Sequence, residues 1–227
     1  MHLNHPLFLL LKHEARSRTG ADDPSHDFSH IERVTNMAHT IAVAEGADTD
    51  IVLPASLFHD LVNYAKNDPR SAQASQESAD QAREILLAYA LSYSPGYPSE
   101  KIGAVATCIA ECSFSKGIVP KTIEGKVVQD ADLLEATGMI AIMRTFSSCG
   151  QMKRRFYDPK DPFCVHRGAQ VQHSSLDSGL DLFYRRLLVV PDRLHTETAK
   201  KLATRRHQFL LHALDELRLE LEESQVL

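Results

Sequence analysis

The chain has 227 residues, 43% hydrophobic and 24% charged, with 10 Gly and 10 Pro, a composition that excludes fibrous and disordered polymers. Its 25 basic and 30 acidic residues leave a net charge of −5, which speaks against a surface built to coat nucleic acid or an anionic membrane. The longest apolar runs, Leu7 to Leu11 and Leu187 to Pro191, are far shorter than the about 20 residues a membrane span needs.

Apolar residues recur at helical spacing through the chain, and strand-like alternation is hard to find. The periodic stretches in order are Leu3 to Leu11, Ile31 to Ala42, Ile51 to Val62, Ile85 to Ala90, Glu100 to Cys112, Ile123 to Thr137, Met139 to Phe146, Leu176 to Val189 and Leu194 to Glu223. Gly46, Asp68-Pro69, Ser94-Pro95-Gly96, Gly117 to Pro120, Gly138 and Gly150 punctuate them, as turn residues do between helices. An all-α bundle of eight or nine helices follows. Residues 151–175 carry Asp-Pro steps and no sustained period, which predicts a long ordered loop of the kind that is often functional. At this length one core is expected, so residues 1–227 are taken as a single domain. The last stretch, with Leu210, Leu211, Leu214, Leu217 and Leu219, can pack on the domain or form a homodimer seam.

The N-terminus lacks a basic segment before its apolar run and a small-residue cleavage site, which predicts a cytoplasmic protein. Cys108, Cys112, Cys149 and Cys164 are too few and too dispersed for a disulfide framework, so free thiols are expected. The 12 histidines, spread from His2 to His212, are the compositional anomaly.

Three placements account for part of that excess. His59-Asp60 directly follows the apolar run Leu53 to Phe58, where an imidazole and a carboxylate are costly unless something satisfies them. His30 lies near the start of the Ile31, Val34, Ala38 helix, beside its core face. Asp130 and Asp132 sit inside the apolar stretch Val127 to Leu134, the least expected setting for carboxylates. Each has a plain structural alternative, a buried imidazole bonded to a carbonyl or an aspartate bonded locally. Together they can supply imidazoles and carboxylates to one divalent cation, Mn, Fe, Co, Ni, Zn or Mg. Such an ion acidifies bound water and polarises phosphoryl oxygens.

The order His30, His59-Asp60, then Asp-x-Leu on helices resembles the HD-domain superfamily of metal-dependent phosphohydrolases. The segments HDFSHIERV, LFHDLVNYAKNDPRSAQAS, SFSKGIVPKTIEGKVVQDADLLEATG, RTF, DPKDPFCVHR and PDRLHTETA resemble one bacterial subgroup of it, over about residues 14 to 210. The resemblance implies His30, His59, Asp60 and Asp132 as metal ligands, with Asp132 preferred because the superfamily's ligating aspartate stands in an Ala-Asp-x-Leu setting. Asp130 then becomes a water-orienting candidate. His26 is a candidate contact to a catalytic water or phosphate, Lys66 a phosphate contact, and His166 and Arg167 loop residues able to close over substrate. In the subgroup, His is usual where this chain has Cys112, and Arg where it has Leu133. The expected function is metal-dependent hydrolysis of a phosphate ester or anhydride in a small phosphorylated substrate, plausibly a nucleotide. The alternative is a metal-binding HD module with little turnover, acting as a sensor or interaction protein.

Overall fold

The computed structural model describes residues 1–20, 27–64, 68–113, 117–167 and 178–225. Among them are nine α-helices: α1 (Pro6–Arg18), α2 (Phe28–Glu45), α3 (Thr49–Phe58), α4 (Ala74–Ser92), α5 (Ile102–Cys112), α6 (Ile123–Leu133), α7 (Gly138–Gln151), α8 (Gly179–Leu182) and α9 (Glu197–Glu223). No sheet forms among the described residues, where Arg155 and Ser178 make one isolated bridge. The chain is all-α, as its periodicity predicts. No helix among the described residues is long and apolar enough to cross a membrane.

Its contacts group into two compact units, Met1–Asp132 with His195–Thr198, and Leu133–Leu194 with Ala199–Leu227. In the first, α3 is the central helix and packs against α1, α2, α4 and α5. Every residue from Val52 to Phe58 is buried, so α3 has no polar face, and burying Phe58 alone stabilises by about 2 to 3 kcal/mol. Helix α2 is amphipathic by contrast. Its buried His30, Ile31, Val34, Ala38, Ile41 and Ala42 follow helical spacing and bring His30 inward with the apolar face. The Asp27 side chain caps α2 by accepting from the His30 backbone N–H at 3.1 Å. Gly46, at φ 70°, closes it in the left-handed conformation, which glycine adopts without steric cost.

The Ile51 to Val62 stretch is shorter than its periodicity suggests. Helix α3 ends at Phe58, and His59 and Asp60 occupy the turn that follows. The Ile123 to Thr137 stretch also divides, into α6 and a short 3₁₀ turn over Leu134–Ala136.

The second unit has its own core of Ala141, Phe163, Leu180, Phe183, Leu187, Leu210, Leu214 and Leu221. Helix α9 contributes the three last leucines, so Leu210 and Leu214 pack within their own unit, whereas Leu219 is exposed. Arg218 of α9 stacks over Phe163 at 4.2 Å from the ring centroid. The long loop begins after α7 at Gln151, and its residues 168–177 lie outside the described ones.

Helix α7 starts at Gly138, which has φ 68°. A Cβ added there would lie 3.3 Å from both Cβ and Cγ of Arg206, whose Nη1 donates to the Leu134 carbonyl at 3.0 Å. Left-handed strain and this close approach act together. We expect Gly138→Ala to destabilise the protein by about 1 to 2 kcal/mol, measured as a lowered denaturation midpoint. An unchanged midpoint would show that the turn relaxes freely.

Candidate metal centre

The end of α3 sets the site. His59 caps α3, and its Nδ1 lies 2.8 Å from the Ser56 carbonyl oxygen. A carbonyl only accepts, so Nδ1 carries a proton and donates, and in the neutral ring the lone pair is then on Nε2. That Nε2 is buried without a hydrogen-bond partner. It stands 3.6 Å from Oδ2 of Asp60 and 3.9 Å from Oδ1 of Asp132. His30, delivered by the buried face of α2, places Nε2 at 3.6 Å from each of the same two oxygens. The two imidazoles meet edge to face with centroids 5.4 Å apart. His30, His59 and Asp60 thus present ligand atoms all within 4.8 Å of one another, and Asp132 on α6 approaches both imidazoles.

These separations are too long for hydrogen bonds. Ligands held at about 2.0 to 2.2 Å from a common ion stand about 3.0 to 3.6 Å apart when adjacent, so the spacing suits a shared cation. Electrostatics agree. An imidazole lone pair facing two carboxylates, with its side chain only 2% exposed, is repelled unless a positive charge lies between them. The carboxylates are roughly 30% exposed, leaving one side of the group open to water. The donor set, nitrogen and oxygen with two negative charges, fits a divalent ion.

Asp130 is turned to another task than orienting water. It is fully buried and accepts from the backbone N–H groups of His195 (2.9 Å) and Thr196 (2.7 Å) and from Oγ1 of Thr196 (2.7 Å). Burial raises its carboxyl above the usual range, although these donors pull the other way. Its neighbour Gln129 is equally buried and bonds His195 and the end of α5. Gln129, His195 and Thr196 were not singled out as site residues. Their one sequence signal is the PDRLHTETA segment, and the bonds span 65 or 66 residues.

Arg167 is also committed elsewhere than to a substrate. Its Nε lies 3.2 Å from Oδ2 of Asp161 and its Nη2 2.9 Å from Oδ1 of Asp181. Asp161 accepts further from the backbone N–H groups of Val165, His166 and Arg167. Burial would raise both carboxyls, yet these charged and backbone donors hold them below their ordinary value. The His166 side chain is exposed. His26 and Lys66 lie outside the described residues.

Cys112, at the end of α5, is buried. Burial pushes its thiol well above the usual range, and the Asp132 and Asp60 carboxylates add to the effect, so the thiol remains protonated beside the ligand group. All four cysteines are buried, and none forms a disulfide.

Comparison with known proteins identifies the family. The sequence model of the HD domain matches residues 27–137, a span that contains all four proposed ligands, and the chain belongs to the HD-domain superfamily. Among its relatives, YpgQ of Bacillus subtilis is 30% identical over 200 residues, covering 86% of this chain and 84% of YpgQ. The crystal structure of YpgQ in complex with ADP matches with a TM-score of 0.68 at 28% identity, covering 94% of this chain and 97% of that one. An HD-superfamily hydrolase from Bacillus thuringiensis matches with a TM-score of 0.68 at 29% identity, over 95% and 96% of the two chains.

Two outcomes follow from the site and its surroundings. Purified protein should carry close to one divalent ion per chain, and His59→Ala or Asp60→Ala should remove most of it by elemental analysis. Parent-like metal content in both variants would overturn the ligand assignment. Separately, Arg167→Ala leaves Asp181, which is 1% exposed, without its cation and should destabilise by about 3 kcal/mol. Because the paired carboxyls are depressed, their contribution is complete above the unfolded value of about 3.9 and is lost as pH falls below it. Arg167→Ala should therefore lose less stability than the parent as pH falls below about 4, read from stability against pH.

Proposed function

We propose that the chain is a divalent-metal-dependent phosphohydrolase that cleaves a phosphate ester or anhydride in a nucleotide or a related small phosphorylated metabolite. The observation that carries this reading is the buried Nε2 of His59, turned away from the Ser56 carbonyl that Nδ1 bonds and aimed at two carboxylates. His30, His59, Asp60 and Asp132 are the residues that would hold the ion. When bound, a divalent ion in such a set polarises a phosphoryl oxygen and lowers the pKa of water towards about 7.

The protein's own residues supply orientation. Ser56 fixes the His59 tautomer, and the Asp27 cap fixes the first turn of α2 and with it His30. Fixing ligands before substrate arrives removes reorganisation from the reaction. The open side of Asp60 and Asp132 is where a phosphate would approach. Lys66, six residues beyond Asp60 in sequence, is the proposed phosphate contact, and His26 the proposed contact to water or phosphate. Arg167 is left out, since its guanidinium is engaged by Asp161 and Asp181. The nucleotide class rests on similarity to YpgQ, whose structure was solved with ADP.

A panel of nucleotides and other phosphorylated metabolites, assayed with and without added Mn²⁺, tests the reading. Hydrolysis should be abolished by chelation, restored by the ion, and lowered at least about 100-fold in Asp60→Ala and Asp132→Ala. Full metal occupancy with no turnover on any member would instead assign the chain to the class of metal-binding modules.

A further inference from the structure

The segment His195–Thr198 belongs to the first unit, whereas the residues before and after it belong to the second. Side chains of α2 and α6 hold it there. Thr198 N–H donates to Oε1 of Glu45 at 2.8 Å. Asp130 takes both N–H groups of the His195-Thr196 pair, so the start of α9 is capped by carboxylates from elsewhere in the fold, as a helix N-terminus favours.

The His195 ring has a separate partner. Its Nε2 lies 2.6 Å from Oε1 of Gln129. The Gln129 Nε2 faces the carbonyls of Glu111 (3.0 Å), Ile118 (3.1 Å) and Cys112 (3.4 Å). Three acceptors fix which end of the amide is nitrogen, so Oε1 must face the histidine and the imidazole must donate. Gln129 is 2% exposed, and an amide buried this deeply costs free energy unless each end is matched. Without the His195 donor, Oε1 is left buried and unmatched, and any shift of the amide toward another donor loosens its hold on the end of α5.

Gln129 precedes Asp132 by three residues on α6, close to one helical turn. The amide therefore sets α6 against the last carbonyls of α5 at the turn that carries Asp132. We propose that His195 and Gln129 are positioning residues, a hydrogen-bonded pair that fixes where α6 presents Asp132 to His30 and His59. The proposal rests on the metal reading of that set. Neither residue touches the ion or a substrate. Partners that orient ligands from outside the coordination sphere typically change metal affinity 10-fold to 100-fold.

The test is a Co²⁺ titration of the metal-free full-length chain, following visible absorption, which reports ligand geometry, and recording the metal-free melting temperature separately. His195→Gln keeps a donor at about the position of Nε2, whereas His195→Met has nearly the same size and no donor. His195→Phe preserves a ring without a donor. The expected result is parent-like Co²⁺ affinity and spectrum in His195→Gln, with at least 10-fold weaker binding and an altered spectrum in His195→Met and His195→Phe. Parent-like affinity and spectrum in a folded Met or Phe variant would overturn the proposal and leave the pair as packing. If both fail to fold while His195→Gln folds, the bond is a folding requirement and the positioning assignment is overturned. A parent chain that binds no Co²⁺ would defeat the metal reading itself, an outcome distinct from all of these.

Discussion

Two imidazoles and two carboxylates meet where a helix buried from Val52 to Phe58 ends, and the architecture around them has to make that concentration of polar groups tolerable. Val52 to Phe58 of α3 are all buried, so that helix offers His59 a backbone carbonyl and no solvated face. The ring instead spends its one proton on the Ser56 carbonyl, and the other nitrogen looks out from the helix end. The C-terminal end of a helix carries partial negative charge, which adds to the two aspartates and further favours a cation there. Each surrounding element then has a definite duty. Helix α2 brings His30 inward on its apolar face, α6 brings Asp132, and the turn after Phe58 leaves Asp60 half-open.

The sequence reading succeeded where the signal was local. Helical periodicity located the helices, because burying an apolar stripe leaves a trace every three or four residues. The ligand residues were legible for the opposite reason, as polar side chains standing inside apolar runs. Helix ends were less legible. The apolar pattern of Ile51 to Val62 continues past Phe58 because Leu61 and Val62 are also partly covered, yet the backbone has left the helix, and Val62 bonds instead to Ser78 of α4 at 3.0 Å.

Long-range commitments were not legible at all. Asp130 and Asp132 are both carboxylates in one apolar helix, and apart from the Ala-Asp-x-Leu resemblance of Asp132 nothing local distinguishes them. Only the arrival of His195 and Thr196, 65 and 66 residues later, gives Asp130 its occupation. Arg167 shows the same effect. A positive charge in an irregular loop reads as free for a ligand until Asp161 and Asp181 are seen to flank it. For Asp130 the partners lie 65 and 66 residues away, and for Arg167 even the partner six residues away is reached by an irregular backbone that no period describes.

Cys112 brings these threads to one point. It ends α5, its carbonyl is among those held by Gln129, and its thiol feels Asp60 and Asp132. A histidine at this place, usual in the resembling subgroup, can become cationic and share in balancing the two carboxylates. A thiol kept protonated by burial cannot. In this chain α5 therefore contributes no charge of its own to the site through Cys112, and the balance of Asp60 and Asp132 would fall more heavily on a bound ion. That places a greater demand on ligand geometry, since an ion that carries more of the neutralisation gains more from each correctly placed oxygen. The buried Gln129 amide, which ties the end of α5 to the helix that presents Asp132, acts at the step where that demand is met.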